Sequence, residues 1–508
     1  MRSIEIAASS MLLALVFLLP FEFETPLRGL SILQLAFLAT FLVSVPILLR
    51  DWRQLVSDRL ILAGSAFVAV FWLSATLAAD YQENAFRGAI RVTCGWLLLC
   101  VASRAVRRDQ LERVWCWTAV AASVYGIADY MGLGLRSFFH MENFWVGEFM
   151  RLSGSFEYPN TAAAFFAMSL PMVWSRSRVA CVPLWAALVL TYSRGAFIGI
   201  LIVLMGAFFL KRDDGLIKLA AMGIILMLIF LGGQMVVAHA EEGLSAQYTL
   251  EFNHLRVAPG VEATMPVTIR NTGTATWQNV VLSYHWYDTE RKRIVFVREH
   301  PTPLPAAVPP GTVVNLQAAF ETPAQPSFYL LDWDLKDGER WFSIDGRVAP
   351  GIVEADVQPG FGLQFQTKDV SRWYRRGPGP AIDASIQRIQ LWEGAWTLIR
   401  AHFWLGSGPD SFRLLYGAAL GYKRWDTNIR ANSLYLELLT GCGILGLLTF
   451  GATVAAVRWS VQPAALAAAA FLAHGVVDSF LMTTPIYFAF WILVGTVHRR
   501  NETKAIGL

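Results

Sequence analysis

The sequence predicts an all-α polytopic membrane bundle of about twelve transmembrane helices with an inserted all-β sandwich domain. Three observations lead there. First, 55% of the 508 residues are hydrophobic and only 16% are charged, against about 45–50% and about 25% in a soluble domain. Second, apolar runs near the ~18-residue length that crosses a bilayer recur along the chain. Third, the apolar excess is uneven: residues 1–238 and 433–498 are strongly apolar, whereas 239–432 has the composition of a water-soluble protein. A single globular enzyme and a disordered chain are both excluded. The net charge of 42 − 38 = +4 is too small to imply a nucleic-acid partner.

Spans are expected at 5–22, 29–49, 59–79, 88–106, 112–134, 160–175, 178–193, 195–211, 216–238, 433–457, 462–478 and 482–498. Met1–Pro20 has the apolar character of a signal peptide. No small-residue cleavage site follows it, and Phe21-Glu22-Phe23-Glu24 does, so it reads as an uncleaved first helix. Short-loop bases set the orientation. Arg50, Arg53, Arg59, Arg104, Arg107, Arg108, Arg113, Arg176, Arg178, Lys211, Arg212, Lys218, Arg458, Arg499, Arg500 and Lys504 fall in one set of connections. Both termini are therefore expected in the cytoplasm. Residues 136–159, the Thr191–Ala196 turn and 239–432 are expected to face outward.

Four parts follow: 1–238, the first part of the bundle; 246–357, an outer β-sandwich; 371–432, an outer basic helical segment; and 433–508, the last three helices with a cytoplasmic tail. The sandwich rests on alternating runs at Tyr248–Phe252, Met265–Arg270, Val280–Tyr287, Ile294–Arg298, Val313–Phe320 and Phe328–Leu335. Asn271-Thr272-Gly273 and Pro309-Pro310-Gly311 supply turns, and about 110 residues of short strands suit a sandwich. From 384 the period becomes helical. Ile386, Ile389, Trp392, Trp396 and Ile399 share one face, expected on the membrane surface or against the bundle, and Gly406-Ser407-Gly408-Pro409 ends that helix.

The five cysteines, Cys94, Cys100, Cys116, Cys181 and Cys442, all lie in apolar stretches and read as packing residues. The soluble-looking segment has none, so it has no disulfide framework. No phosphate-binding loop, dinucleotide glycine fingerprint, H-E-x-x-H pair or G-x-S-x-G elbow is present. His140, His239, His254, His285, His300, His402 and His498 are scattered without metal-ligand spacing, and His474 alone leaves that question open. No metal and no cofactor are expected.

Arginine at the outer face carries the chemical signal. Arg151 precedes a span that begins at Asn160, and Arg194 lies in the turn between two spans. Residues 371–430 hold nine bases (Arg372, Arg375, Arg376, Arg388, Arg400, Arg413, Lys423, Arg424, Arg430) against four acids (Asp383, Glu393, Asp410, Asp426). A guanidinium at a membrane surface is costly unless paired, and its planar fork grips phosphate oxygens bidentately. A diphosphate on a lipid carrier would suit these arginines. Anchoring at lipid headgroups, or pairing with Asp and Glu, is the alternative use of the same residues.

These residues carry a resemblance. Ser193-Arg194-Gly195-Ala196 opening a span, preceded by Arg151-x-x-Gly154-x-Phe156-x-x-Pro159-Asn160, resembles the O-antigen ligase and O-antigen polymerase superfamily. So do the block from Asn432-Ser433-Leu434-Tyr435-Leu436-Glu437 to Gly446 and the late Ala473-His474-Gly475-Val476-Val477-Asp478. The likeness covers roughly 1–238 and 384–498. Within the β part, Met265 to Trp277 resembles the second strand of immunoglobulin-like modules of bacterial envelope proteins.

The resemblance implies a metal-independent glycosyltransferase of the bacterial inner membrane, its large loop periplasmic. The donor would be a glycan on undecaprenyl diphosphate and the acceptor a lipid or another glycan. Ligase and polymerase remain open, and so do a transporter of lipid-linked sugars and a non-catalytic envelope assembly protein. A transporter should show internal repeats and midplane charges, which are not evident here. Arg151, Arg194, Arg388, Arg430 and Asn160 are the implied diphosphate or substrate contacts. Relatives carry histidine where this chain has Asn432, and asparagine takes up no proton at neutral pH, though it orients a hydroxyl. Acceptor activation then falls to Glu437 or to the His474/Asp478 pair, which share a helix face. The other alternative is that positioning and diphosphate stabilisation suffice. Glu437 paired with an arginine and His474 hydrogen-bonded to Asp478 are the purely structural alternatives. The sandwich is expected to bind an acceptor, the growing glycan or an assembly partner, or to act as a spacer.

Overall fold

The computed structural model describes residues 2–23, 30–131, 133, 144–146, 149–211, 214–238, 245–288, 293–295, 297–338, 340–345, 350–367, 388–421, 427 and 429–498. Helices before the β part are α1 (Arg2–Leu18), α2 (Ile32–Arg50), the short α3 (Trp52–Val56), α4 (Arg59–Leu77), α5 (Gln82–Ala105), α6 (Arg108–Tyr130), α7 (Pro159–Trp174), α8 (Cys181–Leu190), α9 (Arg194–Lys211) and α10 (Asp214–Ala238). The β part contains the single-turn α11 (Phe342–Asp345). After it come α12 (Arg388–Ala401), α13 (Phe412–Ala419), α14 (Leu434–Ala456), α15 (Pro463–His474) and α16 (Thr484–His498).

Local chemistry starts these helices where it should. Ser31 and Gln34 form a reciprocal capping box at α2. The Asp58 carboxylate accepts the first free N–H groups of α4. Pro159 and Pro463 open α7 and α15, where a missing N–H costs nothing. The helices then pack around one apolar core that includes Trp115, Trp185, Trp491, Phe165 and Phe166. In it α14 lies against α4, α16 against α5, and α15 between α7 and α9.

The helix lengths correct the expected bundle of about twelve transmembrane helices. Among the described residues five helices, α2, α4, α5, α9 and α14, are long and apolar enough to cross a membrane. The apolar α1, α8, α15 and α16 are shorter, and α8 has 10 residues, about 15 Å of helix against a hydrocarbon core of about 30 Å. A helix that is apolar on every side is either a membrane span or one enclosed by protein. The α16 residues from Pro485 to Thr496 are all buried by protein, as are those of α7 from Thr161 to Val173. Their apolar runs are thus accounted for by packing.

Polar contacts divide between the two ends of the helical part. At one pole Arg50 pairs with Glu5 and Asp51, Arg176 with Asp109, Arg104 with Gln54 and His498 with Asp58. At the other pole the ends of α7, α8, α9, α14 and α15 meet, as described below.

Among the described residues, 246–366 form two facing sheets and a short two-stranded pairing of Trp277–Gln278 with Ala307–Val308. One has the strand order Val313–Glu321, Glu262–Asn271, Ala246–Leu250. The other runs Gln364–Gln366, His254–Val257, Gly351–Val357, Ser327–Asp337, Val281–Asp288, Arg293–Val295. Met265, Ile269 and Phe320 from the first meet Trp286, Leu331, Trp333 and Val353 from the second in a single core. The Asn271-Thr272-Gly273 turn is built by the Asn271 side chain. Its amide donates to the carbonyls of Ala275 and Val308, and its Oδ1 accepts the Gly273 N–H at 2.9 Å.

Candidate functional site

The site begins where the chain enters α7. The Leu152 N–H donates to the Leu190 carbonyl at 2.8 Å, docking this stretch on the end of α8. Arg151 is thereby placed to donate from Nε to the Thr191 carbonyl at 2.8 Å and from its second terminal nitrogen to Asn160 Oδ1 at 2.5 Å. Asn160 follows Pro159 in the first turn of α7, and its side chain also reaches Asp478.

The turn into α9 supplies the next two residues. The Tyr192 backbone is left-handed, with φ 55°, and the Ser193 N–H donates to Thr191 Oγ1. Ser193 Oγ then lies 3.5 Å from His474 Nε2, the last residue of α15. Asp478 Oδ2 is 3.8 Å from that same Nε2, and the buried Nδ1 of His474 has no partner among the described residues. A Ser-His-Asp relay needs the carboxylate on one ring nitrogen and the hydroxyl on the other. Both share Nε2 here, so the arrangement is not a serine-nucleophile triad.

The Arg388 charge, at the start of α12, acts on both His474 and Asp478. Arg194 is exposed and makes no hydrogen bond or ion pair among the described residues, while Ser193 beside it touches His474. Four expected residues, Arg151, Asn160, His474 and Asp478, therefore gather, with the Arg388 charge acting on the last two and Arg194 at the rim.

A second cluster sits at the start of α14. The Leu434 N–H donates to the carbonyls of Gly475 and Asp478 at 2.7 and 2.8 Å, which joins the two clusters. Arg430 pairs with Asp410 at 2.5 Å and lies 3.9 Å from Glu437. Glu437 Oε2 accepts the Ala431 N–H at 3.0 Å. Arg413 completes the network through Asp410 at 3.1 Å and Asn84 Oδ1 at 2.5 Å. Burial alone would push the Asp410 carboxyl up, but Arg430 and Arg413 hold it below the usual carboxylate range. Burial likewise opposes the Arg430 charge, and Asp410 with Glu437 outweighs it, raising the guanidinium's pKa.

One expectation is corrected by this network. Arg430 has its charge committed to Asp410, so it is not a free phosphate contact. Glu437 accepts the Ala431 N–H through Oε2, while its Oε1 is buried without a hydrogen-bond partner among the described residues. Asn432 adopts a left-handed backbone, φ 48°, a conformation asparagine tolerates better than most residues. Among the described residues, Tyr81, Tyr192, Asp410 and Asn432 are four of the five non-glycine residues with positive φ. Such strain gathers at functional sites.

Of the two placements expected for the apolar face of α12, packing against the bundle is taken by a neighbouring stripe, and most of the expected face is left open. Leu391, Gly394, Ala395, Leu398 and Ile399 form the buried stripe, whereas Ile389, Trp392 and Trp396 are exposed. Helical spacing marked one apolar stripe, but packing selects its neighbour. Ile386, Arg372, Arg375, Arg376 and Asp383 lie outside the described residues. Sequence reasoning named Ser193 only within a motif and Arg413 only within a basic run, and it missed Asn84, which is ordinary in its local context. It also missed Arg91, whose signal was a base inside an otherwise apolar run. Among the described residues, Glu262, His300 and Glu321 have ligand atoms within 4.8 Å of one another; they belong to the β part.

No family model matches the chain, and no curated protein matches it. Among solved structures it is similar to a Pseudomonas fluorescens alkylpurine DNA glycosylase, AlkC, bound to DNA containing an abasic site analog. Identity is 13%, the TM-score 0.19, and the match covers 59% of this chain and 97% of that one. A TM-score of that size carries nothing about the fold or chemistry of this chain.

Proposed function

We propose that the protein is a membrane-embedded glycosyltransferase of the O-antigen ligase or polymerase kind, acting at the outer face of a bacterial inner membrane. It moves a glycan from undecaprenyl diphosphate to an acceptor hydroxyl. The observation that carries the reading is the meeting of Arg151, Asn160, His474 and Asp478 from segments far apart in sequence, with the Arg388 charge acting on the last two and Arg194, without a partner among the described residues, at their rim. Five apolar helices of crossing length support the membrane setting, and the site gathers at one pole while the Arg50, Arg104 and Arg176 contacts gather at the other.

In this reading Arg194 and Arg388 take the diphosphate oxygens, and Arg151 holds Asn160 toward Asp478. The bond between the anomeric carbon and the diphosphate oxygen breaks as the acceptor oxygen bonds to that carbon. The acceptor proton passes to Asp478 or His474, and undecaprenyl diphosphate leaves with its charge held by guanidinium groups. Ligase and polymerase share this step and differ in the acceptor.

Arg194→Ala is expected to lower transfer from a lipid-linked oligosaccharide by about 10²-fold, with normal insertion and thermal stability. Arg194→Lys should remain impaired, because the two-pronged grip on phosphate is lost. A well-folded Arg194→Ala protein with full transfer would overturn the role of Arg194 in holding the diphosphate.

A further inference from the structure

One charge remains unused by the site described above. Arg91 lies about two and a half turns into α5, a helix long and apolar enough to cross a membrane. It sits between two close approaches on α5. Gly88, one turn earlier, leaves room for Pro409 and Met482, and Gly95, one turn later, for Tyr487 and Trp491. Asn84 at the start of α5 donates to the Asp410 carbonyl at 2.9 Å. The helix is therefore clamped between the 408–410 loop and α16, and Arg91 cannot leave with a moving loop.

Arg91 is half-buried, and its guanidinium makes no hydrogen bond or ion pair among the described residues. None of its nitrogens is among the sealed unpartnered atoms, so all remain open to solvent. The charges acting on it are those of Asp410, Arg430 and Glu22. Asp410 already holds Arg430 and Arg413. The Glu22 carboxyl is also acted on by Ser31. The N–H donors of Arg91 thus have no acceptor among the described residues, and the Arg430 charge opposes that of Arg91. An unpaired guanidinium on such a helix is expensive, and its expected partner is a substrate anion. The planar fork matches a phosphate better than a lone carboxylate oxygen.

We propose that Arg91 binds a phosphate of the lipid-linked substrate inside the helical part, deeper than the rim occupied by Arg194. The proposal rests on the diphosphate reading above and adds a residue to it. The test uses the full chain in lipid nanodiscs, with undecaprenyl diphosphate as the probe and native mass spectrometry or calorimetry as the readout. Arg91→Met keeps the helix and the stem volume, and Arg91→Lys keeps the charge. Affinity is expected to fall about 10-fold or more in Arg91→Met and by less in Arg91→Lys. With a lipid-linked oligosaccharide, the loss should appear mainly in KM for the donor rather than in kcat. Wild-type binding matched by Arg91→Met would overturn the role of Arg91 and leave the diphosphate reading standing. No binding by the wild-type protein would overturn both.

Discussion

Gly443→Ala is expected to cost on the order of 4 kcal/mol or more, the range reached when backbone strain and a clash coincide. At Gly443, φ is 63° and ψ −165°, a region that only glycine enters readily. The break opens α14 so that its backbone pairs with the chain running out of α12. Ser407 and Gly408 donate to the carbonyls of Thr440 and Gly441, and Ile444 donates to Phe403. Ser74 Oγ closes the junction by donating to the carbonyls of Leu405 and Gly441, at 2.7 and 2.8 Å. A methyl at Gly443 would meet the backbone of Trp404 and Leu405, where no flexible side chain can yield. Gly451, in the same helix with open space around it, is the control. Gly451→Ala should be neutral or stabilising by about 0.5–1 kcal/mol. Thermal midpoints in one detergent decide it, and a Gly443→Ala protein as stable as Gly451→Ala would contradict this account of the kink.

Arg430→Ala is expected to destabilise the protein by about 3–5 kcal/mol, the usual cost of removing one member of a buried ion pair. Asp410 and Glu437 would be left with Arg413, and the more distant charge of Arg91, to compensate. Adding Asp410→Asn should recover part of the loss, because the stranded charge is removed with its partner. If the double variant is no more stable than Arg430→Ala, the Arg430–Asp410 pair is not the source of the cost. The same pair sets an acid limit. The folded Asp410 lies below the ordinary carboxylate value of about 3.9, so its stabilisation is complete at neutral pH. It is lost as pH falls below about 4, and Arg430→Ala should flatten that part of the stability profile.

The gathering of polar groups was more legible than the architecture. Arg151, Asn160, His474 and Asp478 stood out as polar groups at the ends of apolar runs, and the folded chain brings those ends to one pole. Arg430 was visible as a base, but its pairing with Asp410, across the helix Phe412–Ala419, has no local signature. The number of spans was misread because an apolar run does not say whether protein or lipid covers it; α7 and α16 are enclosed by their neighbours. Among the strands, Gly351–Val357 was not picked out, although Val353-Glu354-Ala355-Asp356-Val357 alternates apolar and polar residues. Met265–Arg270 and Val313–Phe320 were legible as strands because each buries one face more than the other; their pairing was not.

The most direct test of the account is a transfer assay. Purified protein in nanodiscs is given a lipid-linked oligosaccharide and an acceptor, with chelator present and no nucleotide. The account predicts glycan on the acceptor and one undecaprenyl diphosphate released for each glycan transferred. Movement of the lipid-linked glycan across a sealed bilayer without transfer, or no release of undecaprenyl diphosphate by folded protein, would contradict it.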